Sequence, residues 1–180
     1  LHGNHLYFIE NKGQWQDNIV MMAEIRAGRL YVEQDKLTFL LMNADQLDEL
    51  HHQRHHPNSQ SDFSAIDCHA FEINFVNALT NQIRGNCPSS AYRNYFMDND
   101  PKKWASFVPM YREVFFQNLY KGIDMRLYTQ EDNAIKYDFV VAPNADAGQL
   151  VLEYRGADNV QLQADGSLQI VTSVGTLIDQ

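Results

Sequence analysis

The sequence predicts an all-β fold, a sandwich of mostly antiparallel sheets with short helical turns. Three observations lead there. Short segments alternate apolar and polar residues at a period of two, as half-buried strands do. Turn signals built from Gly, Asn, Asp and Pro separate them at near-regular spacing. No stretch carries a long helical period, and the aromatic residues, 12% of the chain, are mostly Tyr and Phe, which favour strands.

At the N-terminal end Tyr7–Trp15 reads YFIENKGQW, an apolar entry running into an Asn11-Lys12-Gly13 turn. Ile19–Ile25 is a strand, Ala27-Gly28-Arg29 a turn, and Leu30–Glu33 the returning strand of a hairpin. Gln34-Asp35-Lys36 turns again into Leu37–Met42. Ala44–Leu50 forms a short helix with Leu47 and Leu50 on one side. It then gives way to a polar, His- and Ser-rich tract, expected to be a mobile loop over residues 51–64. From Asp67 to Val76 the alternation resumes, with His69, Phe71, Ile73 and Phe75 on the inward face. Gln82-Ile83-Arg84 pairs back, Cys87-Pro88-Ser89-Ser90 is loop, and Tyr92–Phe96 is extended.

Asp100-Pro101 is a helix-start signal, an N-cap followed by proline at the first helical position, and it gives a single turn over Lys102-Lys103-Trp104. Pro109 forces Val108 to be extended. Tyr111–Phe116 and Ile123–Tyr128 are strands around a reversal at Asn118–Gly122, and Ile123, Met125 and Leu127 share one face. A loop at residues 130–133 precedes a strand at Ala134–Val141. Pro143–Gly148 is loop with a helical turn, and Leu150–Arg155 alternates again. After a reversal at Gly156–Asn159, Val160–Gln163 and Ser167–Thr172 flank Asp165-Gly166, the strongest short hairpin signal in the chain. Val174–Ile178 begins one more strand. There is no internal repeat of fixed period.

A chain of 180 residues suits one domain, since domains run roughly 100–200 residues. It is expected to be a single sandwich-like domain spanning residues 1–180, truncated at its C-terminal end. The first five residues lack the basic and apolar regions of a signal peptide, so the chain reads as a mature or excised piece. A net charge of −9 opposes nucleic acid as a partner, because phosphate binding needs a basic face. No apolar run is long enough to span a bilayer, and membrane insertion is not expected. No cofactor is expected either.

Candidate chemistry is sparse. His51, His52, His55 and His56 are weak metal candidates: on a helix the i, i+4 pairs would reach one ion, while on a loop they are solvated. Cys68 and Cys87 are a candidate disulfide, and two free thiols are the alternative. Asp98 and Asp100 read as turn and cap residues, and a calcium site with Asn99 lacks the Asp-x-Asp-x-Asp-Gly pattern. The Glu131/Asp132 pair carries no acid–base geometry on its own. Cys68 and His69 are strand neighbours pointing to opposite faces, so they form no nucleophile–base pair. Gly-x-Ser-x-Gly, His-Glu-x-x-His and the P-loop are absent, and no catalytic residue is assigned. Trp15, Trp104, Tyr111 and Tyr128 could stack on a sugar, although large aromatics more often belong to a core.

A set of short words carries a resemblance. They are Phe8-Ile9-Glu10-Asn11-Lys12-Gly13-Gln14-Trp15, Asn94-Tyr95-Phe96, Asn99-Asp100-Pro101 with Trp104, Val108-Pro109 with Tyr111, and Leu119-Tyr120-Lys121-Gly122-Ile123-Asp124. They continue in Tyr137-Asp138-Phe139, Pro143-Asn144-Ala145-Asp146 and Gly156-Ala157-Asp158. As a set they resemble the uncharacterised N-terminal β-rich module of large secreted or surface proteins of Bacteroidetes. In those proteins the module precedes β-propeller-type repeats, PKD or other immunoglobulin-like domains, and a C-terminal sorting domain. Asn144 stands where that pattern often has Gly. The resemblance implies a secreted or outer-surface location, and downstream domains of the same polypeptide as partners. It transfers no catalytic residues. The expected function is a non-catalytic structural or adhesive module, with glycans or surface proteins as further partners. A carbohydrate-binding module with an aromatic platform is the alternative, and a hydrolase a third class.

Overall fold

The computed structural model describes residues 6–55, 65–79, 82–96, 99–130 and 133–180, with the side chains of 51 and 53–55 left aside. The fold is antiparallel β throughout. Its strands are β1 (Phe8–Glu10), β2 (Ile19–Ile25), β3 (Gly28–Glu33), β4 (Lys36–Met42), β5 (Cys68–Phe75), β6 (Ile83–Tyr95), β7 (Ala105–Tyr120), β8 (Ile123–Thr129), β9 (Ile135–Val141) and β10 (Leu152–Arg155), followed by β11 (Asn159–Leu162), β12 (Leu168–Thr172) and β13 (Gly175–Asp179). One helix, α1 (Ala44–His55), follows β4. The two layers are unequal: one curled, half-barrel sheet of ten strands and a small sheet in the order β11-β12-β13.

The large sheet follows the path β10-β5-β4-β3-β2-β1-β7-β8-β9, with β6 added to β7. Sixteen-residue β7 is its spine. Tyr111 pairs with Pro88 on one side and Phe8 on the other, and Glu113 pairs with Asn86 and with Tyr128. β1 and β8 therefore lie end to end along the edge of β7 opposite β6. Their junction is stitched: the Thr129 hydroxyl donates to the Leu6 carbonyl, and the Leu6 N–H donates to Asn133 Oδ1.

The main core lies inside the curl. Phe8, Leu30, Val32, Leu37, Phe71, Val114, Phe116, Ile123, Met125 and Leu127 are buried there, and Ile170 joins them from β12. β8 alternates as the sequence predicts, with Ile123, Met125 and Leu127 fully buried. Ile9 follows Phe8 on β1 and so faces the other way. With Met22, Ala105, Val108 and Met110 it forms a second cluster, covered by Tyr7, Trp15, Tyr31 and Tyr95.

Two expectations are corrected here. The helix expected to end at Leu50 runs on to His55, through the first part of the expected 51–64 loop. No Gly or Pro interrupts that stretch before Pro57, and Gln53 and Arg54 are competent helix formers. The Asn43 side chain caps its start by accepting from the Gln46 N–H. Residues 56–64 lie outside the described residues. The expected loop at Cys87–Ser90 is instead part of β6. Proline is tolerated there because β6 pairs only with β7 among the described residues, so a missing N–H need cost no ladder bond. Cys87 takes φ 54, and the register shifts between Pro88 and Tyr92.

Other local readings hold. Asp100 caps a single turn at Pro101–Lys103 by accepting from the Lys102 N–H. Asp165 accepts from the N–H and hydroxyl of Ser167 at the Asp165-Gly166 hairpin. A second short turn, Ala147–Gln149, is capped by Asp146.

Candidate functional site

At residues 105–109 β7 pairs, among the described residues, with β6 alone, so this end of the β6–β7 hairpin is a two-stranded ribbon. On one side it supplies Ala105, Val108 and Met110 to the second core cluster. Elsewhere it displays aromatic side chains. Tyr92, Phe96, Trp104 and Phe107 are 53%, 64%, 46% and 71% exposed, and among the described residues every exposed large aromatic is on this hairpin. The rings form two pairs: Tyr92 against Phe107 at 4.8 Å and 48°, and Phe96 against Trp104 at 5.8 Å and 90°.

Phe107 is held in an unusual backbone state. Its φ is 55, in the left-handed region, and its N–H donates to Asn94 Oδ1 at 2.9 Å. A bulky residue is an outlier there, at a cost of order 1 kcal/mol or more. The neighbouring strands are tied down by an ion pair from Arg93 to Glu24 at 2.9 Å.

The four sugar-stacking candidates have four different settings. Trp15 is half-buried, edge-on to Tyr95 at 5.4 Å, in the second core cluster. Trp104, expected to plug a core, is exposed on the arm. Tyr128 lies beneath the Arg126 guanidinium, 5.4 Å from its ring centre, in a charged ladder. There Glu113 accepts from Arg126 and Asn86; burial alone would raise its carboxyl pKa, but these hydrogen bonds hold it below the usual range. Tyr111 packs on the main core and donates its hydroxyl to Glu10 at 3.0 Å. Its ring fills the space beside Gly85, where an added Cβ would come within 2.2 Å of it. Gly85→Ala is therefore expected to displace that ring, break the Tyr111–Glu10 bond and destabilise by about 2 kcal/mol in chemical denaturation. Tyr92, Phe96 and Phe107 were missed by sequence reasoning. The signal that could have found Phe107 is weak: an aromatic two residues before a proline, inside a strand that a neighbouring bulge distorts.

The remaining candidates also have plain outcomes. Cys68 and Cys87 are free and exposed, the alternative to the candidate bridge. Five strands, β4, β3, β2, β1 and β7, separate β5 from β6 along the sheet path, and disulfides need Cα atoms within about 7 Å. His51 and His55 occupy i, i+4 positions of α1, His52 is exposed, and His56 lies outside the described residues. Among the described residues no group of three His, Cys, Asp or Glu side chains comes together as a metal site would require.

A polar cluster that the sequence did not announce joins the two sheets. Tyr137 of β9 and Tyr154 of β10 both donate to Asp179 Oδ2 of β13, each at 2.7 Å. β9 and β10 are the two end strands of the sheet path, so the curl brings both margins to one carboxylate. Burial, and then the bond to Asp179, push both phenols above the usual tyrosine range. On the other side His69 fastens the small sheet: its Nε2 meets the Gly156 carbonyl at 2.7 Å, and its Nδ1 meets Ser173 Oγ at 2.9 Å and the Ser173 N–H at 3.2 Å. The N–H contact makes Nδ1 the acceptor and Nε2–H the donor.

A family model for a domain of unknown function, DUF7948, matches residues 8–180, which covers every strand and both ends of the aromatic arm. The chain belongs to the DUF7948 family. Comparison with curated proteins and with solved structures gave no match. In this DUF7948 chain the matched region also includes the Tyr137–Asp179–Tyr154 bridge and the His69 clamp. Among its described residues no helix is long and apolar enough to cross a membrane.

Proposed function

We propose that this DUF7948 chain is a non-catalytic adhesion module of a larger secreted or surface-anchored protein, of the Bacteroidetes multidomain kind its sequence words resemble, and that the β6–β7 arm is its contact surface. The observation that carries this reading is the confinement, among the described residues, of the exposed large aromatics to one hairpin. Aromatic residues are enriched at protein interfaces and supply most of the binding energy where they anchor. A fold gains nothing from an exposed phenylalanine held at positive φ, so the strain at Phe107 is better explained by what its ring presents. The two ring pairs meet at 90° and 48°, giving an edged surface that suits a shaped protein partner. Glycan stacking on single ring faces of the same arm is the second reading, since aromatic side chains there have open faces.

Phe107→Gly separates binding from folding. It removes the ring and relieves the left-handed strain, so stability is expected to hold or rise by up to about 1 kcal/mol. Trp104→Ala is expected to leave the chain folded and lower the melting temperature only modestly, because the ring is 46% exposed and gives up an edge contact with Phe96. Bead-displayed wild type is expected to bind either an outer-surface protein preparation or a glycan array, and each variant about tenfold or more weaker. Binding confined to the glycan array selects the second reading. Equal binding by both variants would remove the arm from the function.

A further inference from the structure

A cavity of about 580 Å³ lies between the small sheet and the concave face of the large one. That is within the range of small-molecule sites, roughly 300–1,000 Å³. Its walls are Phe39, Leu41 and Phe71 on one side and Leu127, Ile135 and Leu177 on the other. Phe39 and Phe71 stack with ring centres 4.8 Å apart and planes 2° apart, which makes a flat wall.

The space is braced. At one place Asp179 is bound to the two sheet margins through Tyr137 and Tyr154, and at another Ser173 is bound to His69. These struts fix the small sheet at a set distance from the large one. An apolar gap held open by polar contacts cannot close without breaking them.

Charge at the lining is asymmetric in a useful way. Among the described residues of the lining Asp179 is the only anionic one, and its Oδ2 is covered by two phenolic donors. Arg26, exposed at the β2–β3 turn, is the only cationic one among the described residues of the lining. We propose that this cavity is a binding site for a long-chain carboxylate, with the hydrocarbon tail between the Phe39/Phe71 wall and Leu127, and the carboxylate at Arg26. An apolar body suits a lining made mostly of apolar side chains, with Asn133, Tyr137, Thr176 and Asp179 its uncharged or already bonded polar exceptions, and one negative head answers the one cation. A neutral amphiphile would fill the same volume but leave that charge unanswered.

The test uses the purified chain, with palmitate and its alcohol, hexadecanol, as probes in calorimetric titration. Palmitate is expected to bind at one site per chain and more tightly than hexadecanol. Arg26→Ala is expected to weaken palmitate about tenfold and leave hexadecanol unchanged. Ile135→Trp, which fills the cavity from β9, is expected to abolish binding of both; Val174→Phe repeats that test from the small sheet should Ile135→Trp fail to fold. Failure of the wild type to bind palmitate overturns the proposal. So does equal affinity for the two probes, an unchanged palmitate affinity in Arg26→Ala, or full binding by a folded cavity-filling variant. None of these outcomes depends on the aromatic arm.

Discussion

Replacing Gly28 with alanine is expected to destabilise the protein by about 3–5 kcal/mol, a large part of the roughly 5–15 kcal/mol that holds a domain folded. Gly28 begins β3 at φ +149, and a Cβ there would sit 1.9 Å from the Leu40 carbonyl oxygen and 3.0 Å from Leu41 Cα. Both obstacles are backbone of β4, so no rotamer change relieves the clash. The β3–β4 ladder must shift where Gly28 pairs with Leu41 and Arg29 with Leu40. That ladder also carries Leu37, Phe39 and Leu41 into the main core and its cavity, so the damage does not stay local. Gly166→Ala is the control. It also sits at positive φ, +92, but an added Cβ meets nothing within 4 Å, so it is expected to cost only about 1 kcal/mol. Equal losses in the two variants would show that backbone conformation, and not the approach of β4, governs position 28. Chemical denaturation of both variants measures the difference.

Asp179→Ala is expected to destabilise by about 2–4 kcal/mol, because it leaves two half-buried phenols without an acceptor and unties the small sheet from both sheet margins. Asp179→Asn keeps an acceptor oxygen and is expected to recover part of the loss. The pH dependence follows from the raised phenol values. A group whose folded pKa lies above its unfolded one contributes stability that is fully present below the unfolded value and is lost as pH rises beyond it. For tyrosine that value is about 10, so wild-type stability is expected to fall above pH ~10, with a slope of at most about 2.7 kcal/mol per pH unit for two groups. Both rings are partly exposed, so the measured slope is expected to be smaller. In Asp179→Ala the carboxylate that resists tyrosinate formation is gone, and the gap between variant and wild type is expected to narrow above pH 10. Denaturation midpoints through the alkaline range check this. A constant gap would mean that the two phenols do not titrate with unfolding.

Much of the strand layout is readable in the residues. The face alternation of Ile123–Leu127 and Phe71–Phe75, the Asp100-Pro101 cap and the Asp165-Gly166 hairpin each rest on a few neighbouring residues, and each is found where expected. The misreadings arise where a local signal competed with distant pairing. Pro88 looks like loop, but β7 holds β6 extended through it. The His-rich tract looks disordered by composition, yet it continues α1 as far as His55. Of the candidate site, only Trp104 was legible. Its partner Phe96, the separate Tyr92–Phe107 pair, and the exposure of all four rings depend on how the two-stranded end of the hairpin lies against β1 and β2.

The sequence by itself determined the all-β class, the strand order along the chain, the inward faces and the turn chemistry, because a period of two and a turn residue act within a few positions. Only the tertiary structure decided that ten strands curl into one sheet, that β1 and β8 meet end to end on β7, and that Asp179 joins β9 to β10. Those contacts link residues as far apart as Leu6 and Asn133, and their geometry follows from cumulative sheet twist and the fit of side chains within the curl. Burial is decided at that same level. Trp15 and Trp104 are alike as residues, and one is half-covered by Tyr95 while the other is 46% exposed, because Trp15 packs into the second core cluster between β1 and the hairpin and Trp104 stands on the hairpin's open side against Phe96.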